Sequence, residues 1–268
     1  MKAPPPRQTA TLDGQTIEYL RSGAGRPVIV LLNGAGCPLM SWYKLHPAIE
    51  GFGTAFAYSR PGIGKSSRAT APQTGDVVIA TLRKLLAAQH LEPPYILVGH
   101  SLGGLYANLF ARLFPREIAA VVLLEATAPE DVALMETHQG LVQRALKAAF
   151  SLVDVLRRRG KHGEIECIAD TVRQIADAGD FPSVPLIVVT GSKMPPSWLI
   201  SPIAVRARNE NQRALCAMSP HGRQILATRS GHFPQLSEPA TVISAIAEVV
   251  DAVRRVPAAP LVQREAST

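Results

Sequence analysis

Short runs of apolar and β-branched residues recur along the chain, separated by glycine, proline and polar residues. Runs of this kind predict β-strands, and those that are apolar almost throughout, such as "PVIVLLN" and "AAVVLLEA", predict strands buried on both faces. The predicted strands are residues 16–22, 27–33, 54–59, 95–100, 119–126, 185–190 and 223–229.

Between these strands, apolar residues recur instead at helical spacing. "DVVIATLRKLLAAQHL" (76–91) predicts an amphipathic helix capped by Asp76, and "SWYKLHPAIEG" (41–51) predicts a helix capped by Ser41 and stopped at Gly51. Strands that alternate with helices need crossover connections, so the predicted fold class is α/β with a mostly parallel, doubly wound sheet. The remaining predicted helices are residues 102–115, 201–218 and 239–255.

The alternation stops at residues 128–183, where two helical stretches, 132–159 and 164–178, follow one another without a strand. Since such a segment cannot extend the sheet, it predicts a helical insertion. We therefore expect a core domain built from residues 1–127 and 184–268, with 128–183 as a helical insertion in it.

The composition fits one large domain and argues against a nucleic-acid partner. The chain has 268 residues, 47% of them hydrophobic and 5% aromatic, so aliphatic side chains must form most of the core. Its net charge of +7 is scattered, and the one dense basic cluster, residues 157–161, predicts a solvated face. A nucleic-acid binder would be expected to show a basic stripe with interleaved aromatic residues.

The three cysteines, Cys37, Cys167 and Cys216, are widely separated and lack the spacing of a metal site. They predict reduced thiols in a cytoplasmic protein without a bound metal. The start "MKAPPPRQTA" lacks the apolar stretch of a signal peptide, and no run reaches the length of a membrane-spanning helix. The sequence leaves the oligomeric state open.

A candidate nucleophile lies between a predicted strand and a predicted helix, in "YILVGHSLGG". Gly99 to Gly103 match G-x-S-x-G, in which small flanking residues let the chain turn sharply and expose the serine hydroxyl. Ser101 is therefore the predicted nucleophile. The alternative interpretation is a glycine-rich turn in which Ser101 only caps the helix.

A serine hydroxyl needs a base, and the base needs a carboxylate to fix its tautomer. Of seven histidines, only His232 directly follows a predicted strand at the edge where Ser101 lies. Glu125 ends the apolar strand 119–126, where an unpaired carboxylate would be costly, so it is the predicted acid. Glu130 and Asp131 are the alternatives.

The developing oxyanion of an acyl-transfer reaction needs hydrogen-bond donors that are already in place. The backbone N–H of Leu102 is one candidate, since it follows the nucleophile at a helix N-terminus. The loop "NGAGCP" after strand 27–33 offers Ala35, with Gly34 as the alternative. The competing interpretation of this loop is a merely flexible turn.

Taken together, these motifs resemble the α/β-hydrolase fold superfamily, and the resemblance covers nearly the whole chain. "LLNGAG" resembles its oxyanion loop, "YSRPGIGKSS" its D-R-P-G-x-G-x-S segment, and "SGHFPQLSEPATVISAI" its histidine loop and last helix. Three positions depart from the pattern: Asn33 replaces a histidine, Ser59 replaces an aspartate, and the acid after the seventh strand is missing. Some members carry that acid after the sixth strand, where Glu125 falls.

The resemblance implies a cofactor-independent serine hydrolase that cleaves an ester or related acyl bond of a small to medium substrate. The insertion 128–183 would then cap the site. Two alternatives share this site, namely a ligand-binding protein that has lost turnover and an acyltransferase. Gly34 is a candidate for contact with the substrate. Candidate pocket residues, each of which could instead belong to the core, are Met40, Trp42, Met194, Trp198 and Phe233.

Overall fold

A computed structural model describes residues 5–132, 163–193 and 202–255 of the chain. Its centre is an eight-stranded sheet of order β1-β2-β4-β3-β5-β6-β7-β8. The pairs β1–β2 and β2–β4 are antiparallel, and every other neighbouring pair is parallel. The mostly parallel α/β sheet is confirmed. The strands are β1 Gln8–Leu12, β2 Gln15–Ser22, β3 Val28–Leu32, β4 Thr54–Tyr58, β5 Tyr95–His100, β6 Ile118–Leu124, β7 Leu186–Gly191 and β8 Gly222–Ala227.

Helices cover both faces of the sheet, because successive side chains of its central strands point to opposite faces. Val30 and Leu97 belong to one buried cluster, whereas Ile29 and Ile96 belong to another. Among the described residues, no helix is long and apolar enough to cross a bilayer. The helices are α1 His46–Ile49, α2 Gly75–Ala88, α3 Leu102–Leu113, α4 Ile168–Asp177, α5 Pro202–Cys216, α6 Pro234–Ser237 and α7 Pro239–Arg255.

Two local predictions were wrong at the ends of elements. The helix predicted at 41–51 is a 3₁₀ turn, Leu39–Trp42, followed by the short α1. Ser41 lies inside that turn and donates its hydroxyl hydrogen to the Pro38 carbonyl at 2.9 Å instead of capping a helix. Asp76 is likewise inside the first turn of α2, whose N-cap is Thr74.

Only part of the predicted insertion lies within the described residues. Helix α4 falls inside the stretch predicted at 164–178 and packs against α2 and α3. The stretch predicted at 132–159 lies almost wholly outside the described residues. A cap made by 128–183 therefore stays a prediction.

A buried histidine at the start of α1 should make stability depend on pH. His46 is 1% exposed, and its Nδ1 lies 3.1 Å from the Ser22 hydroxyl. Burial lowers the pKa of His46 from 6.5 to about 4, although Glu50 opposes the shift. The unfolded chain then binds a proton below pH 6.5 that the folded protein excludes until about pH 4. As the pH decreases from 6.5 to about 4, the free energy of unfolding should therefore fall, and His46 should contribute up to about 3 kcal/mol of this loss.

Urea denaturation at several pH values between 7.5 and 4.5 measures this slope. The slope should be smaller in His46→Gln, because glutamine does not titrate. His221 is exposed, so His221→Gln is the matched control and should keep the wild-type slope. Equal slopes in His46→Gln and wild type would refute the assignment.

Candidate active site

Ser101 occupies the sharp turn between β5 and α3. Its backbone angles, φ 51° and ψ −120°, are strained for a residue other than glycine. The turn is possible because Gly99 and Gly103 pack directly against backbone, where a Cβ on Gly103 would overlap the carbonyl oxygen of Leu32. Although Ser101 is the N-cap of α3, its side chain makes no capping hydrogen bond. The hydroxyl is buried and has no hydrogen-bond partner among the described residues.

The register of the sheet places Glu125 beside Ser101. In the parallel pair of β5 and β6, His100 is opposite Leu124, so Ser101 and Glu125 are the next residues on neighbouring strands. The Ser101 N–H donates to the Leu124 carbonyl at 3.1 Å. Like Ser101, Glu125 has a positive φ, 46°, at the point where its strand ends.

The Glu125 carboxylate faces His232, which lies in the loop after β8. Its Oε2 is 3.7 Å from His232 Nδ1, a distance for electrostatic attraction that is longer than an ordinary hydrogen bond. Oε1 accepts the Gly191 N–H at 2.5 Å and a hydrogen bond from the Arg208 guanidinium. Burial raises the pKa of Glu125, but His232, Arg208 and the Gly191 N–H together bring that pKa below its ordinary value. The carboxylate is therefore held ionised.

The two alternative acids are placed differently. Asp131 accepts the Ala128 N–H at 2.8 Å and an amide hydrogen of Asn211 at 2.6 Å. Glu130 is exposed. Of the three acids considered from the sequence, Glu125 is the one found next to the His232 ring.

His100, which the sequence did not single out, contacts His232. Its Nε2–H donates to the His232 carbonyl at 2.7 Å, and its ring lies 5.0 Å from the rings of both His232 and Phe233. Burial, and secondarily His232, lowers the pKa of His100 to about 3, so the imidazole is neutral. His100 thus fixes the backbone of the histidine loop. Its position as a polar residue at the end of a buried apolar strand was the available signal.

The loop after β3 lies directly against the nucleophile. A Cβ placed on Gly34 would be 3.3 Å from Ser101 Cβ and 2.8 Å from His100 Nδ1, so glycine is needed for this close approach. Ala35 is buried beside it. Leu102 begins α3, and its N–H therefore has no acceptor within the helix.

Asn33 and Ser59, the two departures from the superfamily pattern, both anchor loops. The Asn33 amide donates to the Tyr58 carbonyl at 3.0 Å and accepts a hydrogen bond from the Trp42 indole. The Ser59 hydroxyl donates to Glu18 at 2.9 Å. Asn33 therefore joins the ends of β3 and β4, and Ser59 joins the end of β4 to β2.

The candidate pocket residues divide into three groups. Trp42 is wholly buried in the core cluster that includes Leu39, and Met40 packs against that cluster. Both residues therefore belong to the hydrophobic core, which was the alternative to a place in the pocket. Phe233 contacts the His100 and His232 rings. Met194 and Trp198 lie outside the described residues.

The acidic and basic groups of the site do not form a metal centre in the part of the chain that the structure covers. Within residues 5–132, 163–193 and 202–255, no group of three or more His, Cys, Asp and Glu side chains could hold a metal ion. The arrangement instead provides a serine, a histidine and an ionised carboxylate at one edge of the sheet. Such groups suit acyl transfer through a covalent intermediate.

Comparison with known proteins agrees with this fold. A family model described as "Alpha/beta hydrolase family" matches residues 29–245. The uncharacterized protein YqjL of Bacillus subtilis is 34% identical over 126 residues, which are 47% of this chain and 50% of that protein. The chain spans about half the length of the curated relatives it matches.

Two solved structures illustrate the similarity in fold. One is a thermophilic esterase from Thermogutta terrifontis, with a TM-score of 0.64 and 21% identity over 92% of this chain and 99% of that one. The other is the enol-lactonase from Burkholderia xenovorans LB400, with a TM-score of 0.64 and 19% identity over 91% and 100%. At such identities the likeness concerns the fold.

Proposed function

Because the chain belongs to the alpha/beta hydrolase family, we propose that it is a serine hydrolase that cleaves a carboxylic ester or related acyl bond. Ser101, His232 and Glu125 form the catalytic triad of this proposal. The proposal is supported by one observation at the edge of the sheet. Ser101, with its strained backbone, lies beside Glu125, and the Glu125 carboxylate faces His232. Esterase and lactonase are also the activities named for two proteins of similar fold.

In the proposed reaction, His232 removes the Ser101 proton as the serine oxygen attacks the acyl carbonyl. The tetrahedral intermediate then collapses, and protonated His232 gives its proton to the departing alcohol. Water, deprotonated by the same imidazole, attacks the acyl-enzyme and releases the carboxylic acid. Ser101 recovers its proton from His232, so no cofactor is consumed.

Glu125 has two tasks in this mechanism. Its negative charge, 3.7 Å from Nδ1, favours the His232 tautomer that carries its proton on Nδ1 and leaves Nε2 to accept the serine proton. Its negative charge also stabilises the imidazolium that forms in each step. The lowered pKa of Glu125 supports this role, since a protonated carboxyl would lose both effects.

The oxyanion would be bound by the N–H groups of Leu102 and Ala35, with Gly34 as the alternative donor to Ala35. Leu102 supports this assignment because its N–H begins a helix. The Gly34–Ala35 segment supports it through its close approach to Ser101. Donors fixed in this way stabilise the charge that develops in the transition state.

Phe233, Met194 and Trp198 are proposed to line an acyl pocket beneath the cap 128–183. Phe233 supports this proposal because it packs on the His232 ring, 5.1 Å away. An apolar pocket beside the triad would favour small to medium acyl groups.

A fluorophosphonate probe and a panel of p-nitrophenyl esters, thioesters and lactones test the function together. Wild-type protein should take one probe molecule, on Ser101 by peptide mass spectrometry, and should lose hydrolysis in step with labelling. Ester hydrolysis without labelling at Ser101 would contradict the mechanism. If the protein is neither labelled nor active but a panel compound raises its melting temperature, the result would indicate a ligand-binding protein.

A further inference from the structure

Arg60 is a buried charge that the mechanism above does not use. It is 1% exposed and lies behind the loop that follows β3. Nη1 donates to the Asn33 carbonyl and Nη2 to the Gly34 carbonyl, both at 2.7 Å. Its guanidinium also lies over the Tyr106 ring, 5.2 Å from the centroid. A buried guanidinium that binds two successive carbonyls is a fixed arrangement, because its donors are planar and rigid.

These two carbonyls belong to the peptide groups that carry the candidate oxyanion donors. The Asn33 carbonyl shares a peptide group with the Gly34 N–H, and the Gly34 carbonyl shares one with the Ala35 N–H. In a trans peptide the C=O and N–H point in opposite directions, so a carbonyl turned toward Arg60 directs its N–H away from Arg60. A charged donor on the carbonyl also polarises the peptide group and strengthens the N–H as a donor.

Glu164 completes this arrangement from the segment predicted to be the cap. Its Oε2 accepts from Arg60 Nε at 2.5 Å, and its Oε1 accepts the Gly36 N–H at 2.5 Å. Burial by itself would lower the pKa of Arg60, but the charge and hydrogen bond of Glu164 raise that pKa above its ordinary value. One carboxylate therefore neutralises the buried cation and also holds the far end of the same loop.

We propose that Arg60 and Glu164 are positioning residues for the oxyanion hole, which orient and polarise the peptide groups of Gly34 and Ala35. This inference rests on the proposed function, since it assigns the pair to stabilising the oxyanion at Ser101. It further implies that the segment carrying Glu164 influences the rate of the chemical step and not only access to the site.

The test compares wild type with Glu164→Gln and with the double variant Arg60→Met/Glu164→Met, which removes both charges together. Removing donors from an oxyanion hole lowers kcat by about 100-fold or more, so we expect about a 100-fold loss in the double variant and about 10-fold in Glu164→Gln. KM should change little. A trifluoromethyl ketone, whose adduct with Ser101 carries an oxyanion, should lose affinity by factors similar to the losses in kcat.

Arg60→Lys separates charge from geometry. Lysine keeps the positive charge but presents a single ammonium group, which cannot reproduce the planar contacts to Asn33, Gly34 and Glu164. The kcat of Arg60→Lys and its affinity for the trifluoromethyl ketone should therefore both be well below those of wild type. Full recovery of both by lysine would show that charge alone suffices and would overturn the positioning role.

The matched control is Arg83→Met/Glu117→Met. This is a second arginine–glutamate ion pair, in which Arg83 Nε and Nη2 donate to Glu117 at 3.0 and 2.5 Å, but Glu117 lies before β6, at the opposite end of the strands from Ser101. Its removal should leave kcat, KM and inhibitor affinity unchanged. Active-site titration with the fluorophosphonate gives kcat per folded site, so a lower yield of folded protein does not distort the comparison.

The outcomes separate this inference from the proposed function. Loss of kcat and of ketone affinity at constant KM supports the positioning role. A lower melting temperature with wild-type kcat per titrated site would make the pair purely structural and would overturn it. Wild-type protein that hydrolyses no ester and takes no label would instead refute the proposed function itself.

Discussion

Replacing Ser101 with alanine should lower kcat for the best ester substrate by about 10⁴- to 10⁶-fold. The variant would lose the oxygen that attacks the carbonyl, while the donors and the pocket remain. The melting temperature should stay the same or rise. The Ser101 hydroxyl is buried without a hydrogen-bond partner among the described residues, so its removal breaks no such contact and relieves an unsatisfied polar group.

Steady-state kinetics and thermal denaturation measure these two effects, and intact-protein mass spectrometry measures fluorophosphonate labelling, which Ser101→Ala should lose. Ser41→Ala is the control, because Ser41 donates to the Pro38 carbonyl in its own turn. It should keep wild-type kcat and full fluorophosphonate labelling. Ser101→Ala that is still labelled, or that retains more than about a hundredth of wild-type kcat, would place the nucleophile elsewhere.

The hydrophobic pattern could predict the central sheet because its strands are buried on both faces. Strand β5 matches the predicted range 95–100, and β3 lies within the predicted 27–33. The pattern failed at β1, which pairs only with β2 at the edge of the sheet and is largely exposed. A strand that buries little surface leaves little hydrophobic signal.

The helix predicted at 41–51 failed for a different reason. Pro47 has no backbone N–H and cannot continue an α-helix that begins six residues earlier. It is accommodated in the first turn of the short α1, where its missing N–H would have no acceptor. The apolar spacing was compatible with a helix, but the proline limited where one could start.

The juxtaposition of Ser101 and Glu125 could be anticipated because both end neighbouring parallel strands. Long-range partners could not. Arg208 approaches Glu125 from a helix 83 residues further along the chain, and Glu164 reaches Arg60 across 104 residues. No periodicity encodes such contacts, since they depend on how the loops and helices pack above the sheet edge.

Replacing Glu125 with glutamine should lower kcat by about 10³- to 10⁴-fold with little change in KM. Glutamine has nearly the same shape, but it carries no charge to stabilise the imidazolium. It can also donate toward Nδ1 and thereby favour the wrong His232 tautomer. Arg208 sharpens the effect, because its guanidinium would lose its carboxylate partner in the same cluster.

Asp131→Asn is the matched control for this experiment. Asp131 is the half-buried alternative acid, and its carboxylate is bonded to the Ala128 N–H and Asn211, so Asp131→Asn should retain activity near that of wild type. Measurement of kcat and KM for both variants at one common pH compares the two carboxylates directly. An active Glu125→Gln enzyme together with an inactive Asp131→Asn enzyme would move the triad acid to Asp131. Near-wild-type kcat in both variants would mean that His232 acts without either carboxylate.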